Sequence, residues 1–182
     1  MRISGGTWGR RPIEAPPGRG TRPTTDRVRE ALFSLLDARG VLASSRVIDL
    51  FAGSGALGLE ALSRGAEHAT FVERHGPTLA VARRNAASLD ALARSRFVRS
   101  DVRAFLGREG SPVELVLADP PYDLTWLPEL PELVLPRLVP DGVLVVEHDA
   151  RHQLDTLPGF EQSRTYGGTI LSIFCAPSSP AL

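Results

Sequence analysis

Arg46-Val47-Ile48-Asp49-Leu50, followed by Phe51-Ala52-Gly53-Ser54-Gly55-Ala56-Leu57-Gly58, is the stretch that decides the fold. The first five residues make an apolar run of strand length, and Ala56 to Arg64 carries a helical pattern with Gly65 just past its end. Between them lies a G-x-G-x-x-G turn, whose glycines let backbone approach a ligand closely at a helix N-terminus. The turn alone does not name the ligand, because a nicotinamide-dependent dehydrogenase shares it.

Downstream the alternation continues. Ala69 to Val72 reads as a strand, followed by a helix that Pro77 opens and that runs to about Leu89. Phe97 to Arg99, Leu115 to Ala118 and Gly142 to Val146 are three further strands. Strands apolar throughout and separated by helices indicate a parallel sheet covered on both faces, an α/β Rossmann-like fold. Phe160 to Tyr166 and Thr169 to Cys175, around Gly167-Gly168, predict a terminal antiparallel hairpin. Pro128, Pro131 and Pro136 keep any helix between Leu127 and Leu138 short or broken.

Upstream, Thr24 and Thr25 offer N-cap hydroxyls to a helix with Val28, Leu32, Leu35 and Leu36 on one face, stopped by Gly40. Residues 1–22, rich in Gly, Pro and Arg, fit a basic hairpin or a mobile arm with too little apolar content to pack alone. The expected organisation is this arm, a catalytic domain over residues 23–176, and a disordered tail over 177–182.

The chain has 182 residues, and its 21 basic side chains, balanced by 21 acids, are all arginine. The absence of lysine closes Walker-type phosphate loops, protein kinases, Schiff-base and pyridoxal chemistry, and lysine-dependent ribose methylation. Arginine keeps bidentate phosphate contacts available. The charge is uneven: Arg2, Arg10, Arg11, Arg19 and Arg22 face only Glu14 in residues 1–25, whereas acids outnumber arginines after residue 100. That asymmetry suggests one end facing a polyanion. With a single cysteine, Cys175, and no long apolar segment or signal-peptide core, the sequence reads as a cytoplasmic protein without disulfides. Nothing in it calls for an obligate dimer, so a monomer is expected.

Ligands of open parallel sheets bind at the carboxyl ends of the strands. Those ends carry Asp49, Glu73, Asp101, Asp119 and Glu147, acids throughout. Glu73 is placed to accept hydrogen bonds from ribose hydroxyls. A pyrophosphate would not tolerate Asp49 beside the turn, whereas an amino acid ammonium would welcome it. The cofactor combining an amino acid end, an adenosine end and no phosphate is S-adenosylmethionine.

The fourth strand ends in Asp119-Pro120-Pro121-Tyr122. An exocyclic nucleobase amine is a poor nucleophile, because its lone pair is delocalised into the ring. A carboxylate and a carbonyl accepting its two protons free that lone pair. Asp119 and the main-chain carbonyl of Pro120, held extended by Pro121, suit those roles, and Tyr122 can stack on the base. No covalent nucleophile is needed.

On these residues the chain resembles the RsmD family, bacterial small-subunit ribosomal RNA guanine-N(2)-methyltransferases. Arg2-Ile3-Ser4-Gly5-Gly6-Thr7-Trp8 with Arg10-Arg11 resembles the family's opening, and Arg22-Pro23-Thr24-Thr25-Asp26-Arg27-Val28-Arg29-Glu30-Ala31-Leu32-Phe33 its most specific signature. Asp49 to Glu60 and Asp119 to Tyr122 follow in the expected order. The resemblance implies a seven-stranded class I methyltransferase fold, S-adenosylmethionine as donor, and guanine 966 of 16S ribosomal RNA, within the small subunit, as target. It implies Thr24 and Thr25 near the cofactor's methionine end and Asp101 near its adenine, completing a cofactor set with Asp49, Phe51, Gly53, Gly55, Glu73 and Asp119. Trp8-Gly9-Arg10-Arg11 varies the family's Arg-Gly-Arg run, and Arg74-His75 follows Glu73 where the family often has another acid or polar residue.

Arg2, Trp8, Arg10, Arg11 and Arg22 are the candidate RNA contacts, Trp8 by stacking. Trp126 is expected to pack behind the Asp-Pro-Pro-Tyr loop, and His148 and His152 to be solvated loop residues rather than a metal pair. The competing readings are an adenine-amine DNA methyltransferase, a nicotinamide-dependent oxidoreductase and a non-catalytic RNA-binding module.

Overall fold

A computed structural model describes residues 1–15 and 26–178. The expected alternation is present as α1 (Asp26–Ala38), β1 (Arg46–Leu50), α2 (Ala56–Ser63), β2 (His68–Glu73), α3 (Gly76–Ser88) and β3 (Ser95–Arg99). It continues through α4 (Val102–Leu106), β4 (Val113–Ala118), α5 (Leu130–Val134), β5 (Leu138–His148), β6 (Phe160–Tyr166) and β7 (Thr169–Cys175). The seven strands form one sheet in the order β3-β2-β1-β4-β5-β7-β6. β1 to β5 are parallel, and β7 runs antiparallel to both of its neighbours. The chain moves outward from β1 through β2 to β3, then returns to place β4 on the other side of β1. Such a reversal opens a crevice at the carboxyl ends of β1 and β4.

Both sheet faces are apolar because both are covered. Val47, Leu115, Leu117, Val143 and Val145 pack with α1, α2 and α3, whereas Ile48, Leu50, Val116, Leu144 and Val146 pack with α4 and α5. Alternate residues thus enter two separate cores, which is why the strands read as continuous apolar runs.

Residues 1–15 take a hairpin form. Arg2 bridges Pro12, and Ile3 N–H donates to the Arg11 carbonyl at 3.0 Å. Ile3, Trp8 and Ile13 join the core over α2 and α3, so this segment is stabilised by apolar burial against the domain rather than by itself. Gly6 permits the docking: its φ is +73°, and a Cβ there would fall 2.0 Å from the Ser63 carbonyl oxygen.

Other differences have local causes. β5 begins at Leu138 rather than Gly142, since a register shift against β4, between the pairs Val113–Leu138 and Leu115–Val143, takes up the extra residues around Pro140. α4 is too short for a periodic signal, and Asp101 caps it by accepting Ala104 N–H at 3.2 Å. Pro177 and Ser178, expected in the disordered tail, are described, and Ser178 Oγ–H donates to Asp141 at 2.6 Å. Among the described residues, no helix is long and apolar enough to cross a membrane.

Candidate active site

β1 delivers Asp49 into the crevice, where it is buried. Its Oδ2 accepts Gly58 N–H at 2.8 Å, so the carboxylate ties the end of β1 to the first turn of α2, where the helix dipole favours a negative charge. Gly58 allows this approach: a Cβ there would stand 2.4 Å from the Phe71 ring. Between strand and helix the backbone takes positive φ at Phe51 (59°), Gly53 (56°) and Gly55 (79°). For Phe51 that conformation costs about 1–3 kcal/mol, strain of the kind proteins keep at binding turns. A Cβ on Gly53 would meet nothing nearer than 3.8 Å, so this stretch of the turn is open on one side.

Glu73, at the end of β2, is buried and braces the turn. Its Oε2 accepts Gly53 N–H at 3.2 Å, and its Oε1 accepts His75 N–H at 2.8 Å. Asp119 follows β4 on the other side of β1. Burial is the main cause that raises the Asp49 carboxyl well above the usual carboxylate range; the Gly58 N–H pulls the other way, and the charges of Asp119 and Glu73 add to the rise. The charges of Asp119 and Glu73 thus bear on Asp49 from the two neighbouring strands. Neither Asp49 nor Glu73 has an arginine ion pair among the described residues.

The Asp119 loop forms the mouth. Pro121's carbonyl accepts Leu124 N–H at 3.0 Å, whereas among the described residues nothing donates to the Pro120 carbonyl. Tyr122 is 37% exposed, with the Arg151 guanidinium 5.8 Å from its ring centre. Trp126 packs behind this loop as expected: its ring lies 6.1 Å from that of Phe51, joining the loop to the glycine turn, with Arg103 4.6 Å over it.

The structure thus brings Asp49, Phe51, Gly53, Gly55, Glu73 and the Asp119–Tyr122 loop to one sheet edge, with Asp101 just past β3 on the same edge. Arg22, Thr24 and Thr25 lie outside the described residues. Arg2, Arg10 and Arg11 are exposed on the hairpin, Arg2 3.5 Å from Asp26. Trp8 corrects an expectation: at 7% exposure, beneath the Arg94 guanidinium 5.0 Å from its ring, it anchors the hairpin and offers no face to a base. His148 corrects another. It is 3% exposed; Nδ1–H donates to the Asp149 carbonyl at 2.8 Å, and Nε2 accepts from Ser172 Oγ at 2.7 Å. Burial lowers its pKa, keeping the imidazole neutral and in the core. No cluster of metal-ligating side chains occurs among the described residues. Cys175 pairs with Val143 at the opposite sheet edge, and burial, with Glu161 beside it, pushes its thiol up to about 11, unsuited to nucleophilic attack.

Two buried charges carried no role in the sequence reading. Glu60 on α2 is 0% exposed and accepts Ser4 N–H (2.7 Å), Ser4 Oγ–H (2.7 Å), Gly5 N–H (2.8 Å) and Arg64 Nε–H (2.8 Å). Arg29 Nε stands 3.5 Å from it, an ion pair without hydrogen-bond geometry, while the Arg29 guanidinium also donates to the Arg2 carbonyl and to Asp26. The signals were present: Glu60 is the one charge in a helix otherwise apolar up to Ser63, and Arg29 shares a helical stripe with Leu32, Phe33 and Leu36.

The family profile described as Conserved hypothetical protein 95 matches residues 1–175. Ribosomal RNA small subunit methyltransferase D of Escherichia coli strain K12 is 40% identical over 160 residues, spanning 87% of this chain and 79% of that protein. YlbH of Bacillus subtilis strain 168 is 34% identical over 182 residues, covering 96% of this chain and 98% of the relative. The solved structure of yhhF from Escherichia coli superposes with a TM-score of 0.84 at 34% identity, covering 98% of this chain and 99% of that one. The Thermus thermophilus 16S rRNA N2 G1207 methyltransferase, solved with AdoMet and guanosine, shares the fold at a TM-score of 0.72 and 20% identity, over 88% of this chain and 46% of that one. With the acidic crevice and the Asp-Pro-Pro-Tyr loop inside a match that runs nearly end to end, the chain belongs to the RsmD family of small-subunit ribosomal RNA methyltransferases.

Proposed function

We propose that the protein methylates the exocyclic amine at position two of guanine 966 in 16S ribosomal RNA, using S-adenosylmethionine, on the small subunit or an assembly intermediate. The observation that carries this reading is the acidic crevice of Asp49, Glu73 and Asp119 ending at a Pro120 carbonyl to which no described residue donates. The charge and open glycine turn fit a cationic, phosphate-free adenosine cofactor. When bound, that cofactor supplies an electrophilic methyl group on a positively charged sulfur.

The chain's residues do the rest. Asp49 would hold the amino acid ammonium and Glu73 the ribose hydroxyls. Asp119 and the Pro120 carbonyl accept hydrogen bonds from the two amine N–H groups and aim the nitrogen lone pair, Asp119 being the group able to take the one proton released on transfer, and Tyr122 stacks on the base with Arg151 beside its ring. Arg2, Arg10 and Arg11 contribute salt-sensitive phosphate contacts.

Mass spectrometry of small-subunit RNA tests this directly. Cells lacking the gene lose one methylguanosine, at position 966; a complete modification there refutes the substrate assignment.

A pH profile tests the cofactor site. The ionised form of Asp49 binds the cation, so cofactor affinity weakens as pH falls through the raised Asp49 pKa. The free protein has the opposite preference: protonated Asp49 suits the fold, so its contribution is full below the ordinary Asp value and is lost as pH rises through the raised one. Stabilisation by S-adenosylhomocysteine, read as a melting-temperature shift, therefore grows from acidic to neutral pH. Asp49→Asn flattens that profile and weakens binding roughly ten- to hundredfold, the range for hydrogen bonds to a charged group. An unchanged profile in the variant removes Asp49 from the site.

A further inference from the structure

Asn85 stands on α3 beside Ala82, Ala86 and Ala87 and is 2% exposed. Asparagine is a weaker helix former than alanine, and a primary amide is costly to bury unless its groups are bonded. Here they are. Glu14 N–H donates to Oδ1 at 2.8 Å, and Nδ2 donates to the Glu14 carbonyl at 3.0 Å and to the Ser54 carbonyl at 2.9 Å. One side chain therefore clasps both backbone groups of a hairpin residue and, with its second donor, the middle of the glycine turn.

The hairpin has other attachments besides this clasp. Glu60 holds Ser4 and Gly5, and Ser63 Oγ accepts Trp8 N–H at 2.9 Å. No hydrogen bond among the described residues joins hairpin and turn directly. Asn85 is the bridge between the element that carries exposed Arg10 and Arg11 and the peptide planes around Gly55, whose N–H donates to Ala52 at 2.7 Å. Two further contacts tie the hairpin to α3: Arg11 donates to the Ser88 carbonyl, and Arg84 pairs with the Glu14 carboxylate at 2.9 Å.

We propose that Asn85 is a positioning residue that couples the N-terminal hairpin to the Gly53–Gly55 turn, so that RNA held at the hairpin and cofactor held at the turn strengthen each other's binding. The inference rests on the cofactor and RNA roles proposed above. A shift of Glu14 moves the amide, and the amide moves the Ser54 carbonyl; by linkage the effect is equal in both directions.

Isothermal titration of the full chain with S-adenosylhomocysteine, with and without a saturating 16S RNA fragment carrying the target helix, measures the coupling. In the wild type RNA tightens the nucleoside at least about fivefold. In Asn85→Leu, similar in size but without hydrogen bonds, the ratio falls to within about twofold of one, whatever the change in affinity without RNA. Glu14→Pro removes the N–H that Asn85 accepts together with the carboxylate that Arg84 pairs with at 2.9 Å, and lowers the ratio where Glu14→Gln, which loses only the ion pair, keeps it; this keeps the test open should Asn85→Leu fold poorly. A preserved ratio in folded Asn85→Leu or Glu14→Pro, or a uniform loss of affinity with the ratio intact, marks Asn85 as merely structural and overturns the proposal. So does an absence of coupling in the wild type. A wild type that binds no S-adenosylhomocysteine overturns the functional reading itself and the inference with it, whereas binding with an unaltered ratio overturns the inference alone.

Discussion

Asp119→Ala lowers the rate of methyl transfer by about 10²–10³-fold, the usual cost of losing one preorganised group at a reacting centre. The argument is that a neutral amine needs two acceptors to localise its lone pair, and the Pro120 carbonyl is only one of them. Asp119→Asn keeps an acceptor oxygen, and so it retains more activity than the alanine variant. The same substitutions have a second signature. Asp119 is one of the charges that raise the Asp49 carboxyl, so its neutralisation lets that carboxyl ionise at lower pH, and cofactor binding persists further into acid than in the wild type. Single-turnover rates with labelled cofactor and a titration of S-adenosylhomocysteine across pH read the two effects separately. Wild-type transfer by the alanine variant would remove Asp119 from the chemistry.

Why Asp119 was legible and Trp8 was not follows from the range of the interactions involved. Asp49, Glu73 and Asp119 are each the next residue, or nearly so, after a local apolar run, and a parallel sheet aligns all such ends on one edge. The terminal hairpin, Phe160–Tyr166 and Thr169–Cys175, likewise needs only alternation around a Gly-Gly turn. Trp8, among glycines and arginines, looks exposed until Ser63 and Arg94, far along the chain, close over it. His148 looks like a loop residue because the apolar run ends at Val146, while pairing with β7 carries β5 two residues further. Asn85 gives no signal beyond an amide among alanines, since both of its partners are backbone groups distant in sequence.

Glu60→Ala costs about 3–5 kcal/mol of stability, the range for removing one partner of a buried ion pair. The carboxylate is the shared acceptor for two backbone N–H groups, a hydroxyl and a guanidinium, and a close ion-pair partner of buried Arg29. Without it Arg29 keeps only Asp26 and a carbonyl, and the Ser4 and Gly5 amides face a cavity that lacks an acceptor. Glu60→Gln loses less, because its amide oxygen still takes one set of donors while its NH₂ opposes Arg29. The loss is local in origin but reaches the site, for α2 begins at the glycine turn and the hairpin it holds carries Arg10 and Arg11. Partial detachment of the hairpin exposes Trp8, so with Trp126→Phe in both proteins the remaining fluorescence shifts to the red in urea before the global transition in the alanine variant and together with it in the protein that keeps Glu60. Coincident transitions in both proteins, with a stability change under about 1 kcal/mol, would mean that Ser63 and the apolar contacts of Ile3, Trp8 and Ile13 hold the hairpin without the carboxylate.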